Sequence, residues 1–100
     1  MPTDPTFRMT VQDVLSIKGR GSVITGRIAS GTISVGNEIR IQGKGSSKTA
    51  VISGLEIHLK VTTHARAGDD VGILLKDIGQ EDVQSGDTLT GSEFDFTWKP

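Results

Sequence analysis

Hydrophobic and polar residues alternate along several short segments of this sequence. Such a period of two is typical of strands with one buried face. The first segments with this pattern cover residues 7–12, 23–28 and 38–42, and a short strand is predicted at 33–35. The apolar positions are Phe7, Met9 and Val11 in the first segment, Ile24 and Ile28 in the second, and Ile39 and Ile41 in the third.

A longer run at residues 49–60 is predicted to form the longest strand. Its apolar side is expected to carry Val51, Leu55, Ile57 and Leu59, opposite Glu56, His58 and Lys60. Residues 71–76 are apolar on both sides, as in a central strand, and residues 87–90 are predicted to form a closing strand.

The segments between these strands have the composition of turns and loops. Loops are predicted at 43–48 and 63–70, and the connection 78–87 has room for one helical turn. The aromatic residues 94, 96 and 98 alternate and form either a last strand or a tail. Six to eight short strands without an amphipathic helix indicate an all-β fold, either an antiparallel barrel or a sandwich. A closed barrel is favoured because closure removes exposed sheet edges.

The composition fits one small domain of this class. The chain has 100 residues, 34% of them hydrophobic, with three Phe, one Trp and no Tyr, so an aliphatic core is expected. The absence of Cys excludes disulfides and thiolate–metal sites. Because no run reaches membrane-spanning length and no signal core is present, a cytoplasmic protein without a membrane partner is predicted. We expect a tail at 1–6, the barrel at 7–91 and a strand or tail at 92–100.

Charge is distributed unevenly along the chain, although the net charge is only −1. Residues 1–66 contain nine Lys or Arg and four Asp or Glu, whereas residues 67–100 contain two basic and eight acidic residues. This asymmetry indicates either a basic face for an anionic partner or two halves that interleave in the barrel so that the field averages out.

Several short motifs resemble catalytic signatures, but their context favours structural roles. GKGSSKT at 43–49 lacks the glycine before the lysine and precedes a strand, whereas a phosphate-binding loop opens a helix. DDVG at 69–72 fixes only two positions. His58 and His64 lack a third ligand, and Glu81 and Asp82 lie in a polar connection. We therefore expect no enzyme activity, no bound nucleotide, no metal and no cofactor.

Three segments carry a resemblance to a known family. They are VQDVLSIKGRGSVITGRIASGTISVGNEIRI at 11–41, GLEIHLKVTTHARAGDDVGILLKDI at 54–78 and EDVQSGDTLTG at 81–91. Over residues 7–91 the chain resembles the second domain of translational GTPases, and the bacterial elongation factor Tu form most closely. The resemblance implies a closed six-stranded antiparallel β-barrel. In those factors a separate preceding domain binds GTP, so GTP hydrolysis is not implied here.

The glycines of the motifs are then expected to serve the barrel. Gly19 and Gly21 permit backbone conformations that other residues avoid. Gly26, in the middle of a strand, indicates a bulge or a close backbone approach.

The resemblance also implies a binding site for the aminoacylated 3′ end of tRNA. In that family a shallow apolar pocket holds the terminal adenosine, and an acid contacts its ribose. The matching positions in this sequence are Ile17, Gly19, Val23, Leu74 and, for the acid, Glu56. The contact with a 2′-hydroxyl would distinguish RNA from DNA.

The neighbouring site for the esterified amino acid matches the family less well. Asp13 and Thr25 are retained, but Gln12 replaces Glu and Asp70 replaces Asn. Leu15 and His58 each replace a Phe, and Leu59 replaces an Arg. The negative charge of Asp70 opposes binding near a phosphate-bearing strand, so these departures argue against recognition of the amino acid.

Each matching residue also has a structural interpretation. Ile17, Val23 and Leu74 would serve as core, Gly19 and Thr25 as barrel geometry, and Glu56 as a partner of Lys60 or an arginine. The basic surface residues Arg20, Arg27 and Arg66 would either attract RNA or form surface ion pairs.

Three functions remain open at this level. The first is a translation-factor-like module that contacts a tRNA 3′ end, other RNA or the ribosome. The second is a protein-interaction module that uses uncovered barrel faces and the aromatic FDFTW segment at 94–98. The third is an excised piece without activity of its own, although the end segments MPTDPT and TWKP favour a free-standing domain.

Overall fold

The computed structural model describes residues 4–19, 21–43, 46–76, 78–79 and 81–91, which form an all-β fold. The strands are β1 Arg8–Thr10, β2 Asp13–Ile17, β3 Gly21–Ser30, β4 Thr32–Ser34, β5 Glu38–Gly43, β6 Ser46–Ile57, β7 Lys60–Thr62, β8 His64–Arg66, β9 Asp70–Leu75 and β10 Thr88–Gly91.

Six of these strands form a closed antiparallel barrel, as predicted. They follow one another in the order β1, β10, β5, β6, β9, β3, and β3 pairs back with β1. β2 extends the sheet beside β3, and β7 pairs with the end of β6. β4 and β8 form a separate two-stranded sheet.

The barrel interior is aliphatic, as the composition indicates. The alternation predicted for residues 23–28 is confirmed, because Ile24 and Ile28 are buried. Phe7 is the one aromatic side chain in the core of the described residues. The largest fully buried side chains are Phe7, Met9, Ile24, Ile28, Ile33, Ile39, Ile41, Ile52, Leu55, Ile73, Leu75 and Leu89.

Strand β6 departs from the prediction in the sides that its residues face. Ile52 and Leu55 are buried, whereas Val51 is 52% exposed, so Val51 and Leu55 do not share a side. The register of β6 against β9 shifts between Ile52 and Gly54. This irregularity at Ser53 reverses the alternation, because an extra residue in one strand moves every following side chain to the other face.

The predicted end of this strand was also wrong. Residues 58–59 form a turn, and β7 runs back along β6 from Lys60. His58 and Leu59 have φ values of 52° and 66°, in the left-handed region. Two successive positive φ values are characteristic of a type I′ hairpin turn, which usually contains Asn and Gly. The sequence therefore gave no turn signal here, and Leu59 is 91% exposed instead of facing the core.

Two connections also differ from the predictions. The predicted loop at 63–70 contains strand β8, and the described residues of the 78–87 connection form turns without a helix. The aromatic residues 94, 96 and 98 lie outside the described residues.

The first described residues contact the barrel. The carboxylate of Asp4 accepts hydrogen bonds from the backbone N–H groups of Thr6 and Thr32 at 2.9 and 3.1 Å. These bonds, the Thr6 backbone first, hold the pKa of Asp4 below its usual value. Residues 4–6 are thereby attached to the start of β4.

Two glycines allow the backbones of neighbouring strands to approach each other closely. Gly21 has a φ of 106°, and a Cβ at this position would lie 2.3 Å from the Leu75 carbonyl oxygen. At Gly26 a Cβ would lie 2.5 Å from the Thr10 carbonyl oxygen, beside the register shift between β1 and β3. The predicted close approach at Gly26 is thus confirmed, and it occurs where the barrel closes.

Candidate functional site

The outward side chains of β2, β3, β9 and the end of β6 form one continuous surface, which we call the site face. Residues directly opposite each other in antiparallel strands project to the same side of a sheet. The strand registers therefore define two rows across this face. The first row is Leu15, Val23, Leu74 and Gly54, and the second is Asp13, Thr25, Gly72 and Glu56.

A depression of about 690 Å³ lies at one end of the site face. Ile17, Gly19 and Leu74 line it, and Val23 is the direct strand neighbour of Leu74. Four of the predicted pocket residues are therefore brought together. Their side chains are half-buried or exposed, apart from Gly19, which lies in the turn with a φ of 77°.

The connection that follows β9 completes this depression, which we call the first depression. Ile78 and Gly79 line it, and the buried Ser22 hydroxyl donates a 2.6 Å hydrogen bond to the Ile78 carbonyl. Because Ser22 is fully buried in β3, this bond fixes the connection against the barrel.

Glu56 lies on the same face, beyond Gly72. Its strand neighbours are Gly72 in β9 and Val61 in β7, whereas Lys60 is opposite Ile57. Within the described part of the chain, the Glu56 carboxylate has no ion pair or side-chain hydrogen bond. The structure thus does not show the structural pairing with Lys60 or an arginine, and it leaves an exposed acceptor beside an apolar depression.

The opposite end of the site face carries an ion pair. Arg27 Nε lies 3.1 Å from Asp70 Oδ1, and Arg27 Nη2 donates to Asp70 Oδ2 at 3.3 Å. This bonding lowers the pKa of Asp70 and raises the pKa of Arg27. Arg27 is therefore a neutralised cation, and the charge of Asp70 is compensated within the protein.

The remaining predicted residues fall into separate places. Asp13 and Thr25 are strand neighbours on the site face, and the backbone of Gln12 bonds to Thr25 just before β2. Arg66 lies in β8, paired with Thr32 in the separate small sheet, so it is not part of the site face. Arg20 lies outside the described residues.

Sequence reasoning missed most of the residues that line the first depression, and four of them change its chemistry. Lys18 and Lys76 add two positively charged residues to the lining, and Ser53 and Ile78 add a polar and an apolar residue. Lys18 could have been found from the sequence, because it follows Ile17 directly in the motif. Lys76, Ser53 and Ile78 depend on the pairing of distant strands, which no local pattern reveals.

The two unequal halves of the sequence interleave in the fold. Asp70 and Asp82, from the acidic half, pair with Arg27 and Lys48 from the basic half. Lys48, followed by the Gly79 N–H, holds the pKa of Asp82 below its usual value. These pairs support the alternative in which the two halves interleave and the field averages out, although Lys18 and Lys76 remain at the first depression.

A comparison with known protein families agrees with the barrel fold. The family model described as elongation factor Tu domain 2 matches residues 21–90. The match begins at β3 and ends in β10, so it covers five of the six barrel strands and includes Val23, Glu56 and Leu74. Separately, none of the described residues form a helix long and apolar enough to cross a membrane.

Proposed function

Because this chain belongs to the elongation factor Tu domain 2 family, we propose that its site face binds the 3′ end of an RNA, as in a tRNA with or without its amino acid. The observation that carries the proposal is the Glu56 carboxylate, which has no partner among the described residues and lies on the same face as the partly apolar first depression. No catalytic step is involved, and the barrel acts as a binding domain.

The chemistry of the face suits a terminal nucleoside. Ile17 and Leu74 offer aliphatic walls against which a base can pack. Glu56 offers an acceptor for a ribose 2′-hydroxyl, the group that separates RNA from DNA. Lys18 and Lys76 place positive charge at the rim, which attracts phosphates.

Amino-acid recognition is the weaker part of this proposal. Arg27 already engages both carboxylate oxygens of Asp70, at 3.1 and 3.3 Å. Asp70 is thus committed to the protein, while Asp13, Thr25 and the exposed Gln12 remain near it. We therefore place the recognition mainly in the terminal nucleoside.

The test is a titration of isotope-labelled protein with a short RNA ending in CCA and with its deoxy counterpart. Amide shifts are expected at Gly19, Val23, Glu56 and Leu74 with RNA. Glu56→Gln should weaken RNA binding about tenfold, because a hydrogen bond to a charged group contributes about 1.5–3 kcal/mol. Binding of the deoxy strand should not change.

Glu81→Gln is the matched control, since Glu81 is an exposed carboxylate that lines a different cavity. It should leave both affinities unchanged. If RNA shifts no residue of the site face, or if Glu56→Gln and Glu81→Gln behave alike, the proposal is wrong.

A protein-interaction function is the second candidate, and the edges of the site face favour it. Leu15 is 58% exposed and Val61 is 83% exposed, next to the exposed Leu59 at the hairpin tip. Such apolar side chains suit a protein partner. Salt separates the two functions, because RNA binding should weaken steeply with ionic strength whereas an apolar protein contact should not.

A further inference from the structure

A second depression lies beside the first on the barrel surface. It has a volume of about 360 Å³, and its lining includes Thr49, Ala50 and Val51 from β6 and Glu38 from β5. Ser53, Lys76 and Ile78 line both depressions. The two depressions therefore adjoin along these shared residues, and we call them together the groove.

The irregularity in β6 creates this arrangement. Val51 lies before Ser53 and projects outward, so it contributes an apolar wall on the second side. Ser53 itself lies at the junction, where its hydroxyl donates a 3.2 Å hydrogen bond to the Leu74 carbonyl. Bulges are frequent beside binding sites because they redirect side chains.

Lys76 lies at the same junction and supplies its charge. Lys76 lines both depressions, between two partly apolar surfaces. A phosphodiester has this pattern, with a negative charge between two nucleosides. The order of apolar, cationic and apolar surfaces thus corresponds to two successive nucleotides.

We propose that the second depression binds the penultimate nucleotide of an RNA 3′ end, with Lys76 at the phosphate that joins it to the terminal nucleotide. This inference rests on the proposed function of the first depression. It assigns the barrel a two-nucleotide footprint, with Val51 and Ile78 packing against the second base. The charge of Lys76 and the apolar walls favour a nucleotide over an acidic peptide.

The experiment compares three probes of increasing length by amide shifts at low salt: AMP, CpA and CpCpA. AMP already carries a phosphate, so any gain from AMP to CpA reports the second base. CpA should bind at least fivefold tighter than AMP, and CpCpA should add little. New shifts should appear at Thr49, Ala50 and Val51 with CpA only.

Two substitutions sharpen the assignment. Val51→Asp should remove the difference between CpA and AMP. Val35→Asp is the matched control, because Val35 is a 41% exposed valine outside both depressions, and it should preserve that difference. The amide spectrum of each variant without ligand reports whether the barrel is folded. Lys76→Gln should weaken CpA binding and reduce its dependence on salt.

The outcomes separate the inference from the function on which it rests. If AMP and CpA bind equally, or if Val51→Asp and Val35→Asp give the same affinities, the second subsite is wrong while the first stands. If none of the three probes shifts any residue of the groove, both the proposed function and this inference are overturned.

Discussion

The two halves of β6, before and after Ser53, build different surfaces on one barrel. Before Ser53 the strand pairs with β5, and its outward residues continue into a polar surface of β5 and β10 that carries Arg40, Thr88 and Thr90. After Ser53 it pairs with β9 and β7, and its outward residues belong to the site face. A single irregular residue thus divides a polar surface from a partly apolar one.

This difference indicates where function can reside in a fold whose interior is uniform. Both halves of β6 bury similar aliphatic side chains, Ile52 before the irregularity and Leu55 after it. The outward residues differ, since threonines and Arg40 accompany Val51 on one surface whereas Leu15, Val23 and Leu74 occupy the other. The core therefore determines the barrel, and the outward residues determine what it contacts.

The largest expected effect follows from deleting Ser53. Without this residue Gly54 follows Ile52 directly, so the alternation runs unbroken and Leu55 and Ile57 still face the core. The strand instead loses the local twist of the bulge and the Ser53 hydroxyl bond to Leu74, so we expect a loss of about 2 kcal/mol of unfolding free energy. Urea denaturation followed by circular dichroism measures this loss.

Ser53→Ala is the control for the deletion, because it keeps the extra residue and removes only the hydroxyl bond to Leu74. It should cost about 1 kcal/mol or less. A deletion variant as stable as Ser53→Ala would show that the bulge itself contributes nothing to stability beyond this hydrogen bond.

The accuracy of sequence reasoning differs between these regions for physical reasons. Strand β3 could be predicted because Ile24 and Ile28 alternate without interruption. The reversal at Ser53 could not, since a bulge leaves no periodic trace, and it misplaced Val51. The turn at His58 and Leu59 lacks Gly, Asn and Pro, so the run was extended through it.

The candidate site could likewise be predicted only in part. Ile17, Val23 and Leu74 were found through the family resemblance, and the strand registers bring them together. The pairing of Arg27 with Asp70 needed the register of β3 against β9, which a single sequence does not reveal. An ion pair was one of the two alternatives predicted for Arg27, but Asp70 could not be identified as its partner.

A smaller effect is expected at the hairpin that ends the site face. His58 and Leu59 adopt left-handed conformations, which cost a residue with a side chain about 1–2 kcal/mol. The double substitution H58N/L59G supplies the usual type I′ residues. It should raise the unfolding free energy by about 1 kcal/mol, after the larger unfolded-state entropy of glycine is counted.

Thermal unfolding measures this gain, and H58N alone should provide part of it. The substitution also removes the exposed Leu59 side chain from the edge of the site face. Binding of a CCA-ending RNA should persist, because neither residue lines the two depressions. A double variant with a lowered melting temperature would show that the native turn is stabilised by contacts of His58 or Leu59.

The smallest effect concerns two acidic residues at different places on the barrel, Asp82 beside Lys48 and Asp70 beside Arg27. The pKa of each carboxyl is lowered in the folded state. Such a group stabilises the fold above its unfolded pKa of about 3.9, and this contribution is lost as pH falls through the lower folded value. Both pairs should therefore make the melting temperature decrease in acid.

Asp82 should contribute more of this decrease than Asp70. Its side chain is 15% exposed and accepts bonds from Lys48 and from the Gly79 N–H. The Asp70 side chain is 53% exposed and, among the described residues, bonds only to Arg27. D82N should therefore reduce the fall in melting temperature between pH 6 and 3 more than D70N does. High salt should weaken the effect of D70N first, because salt screens exposed charges. If both variants reduce the fall in melting temperature equally, the Asp82 and Asp70 pairs stabilise the fold to the same extent.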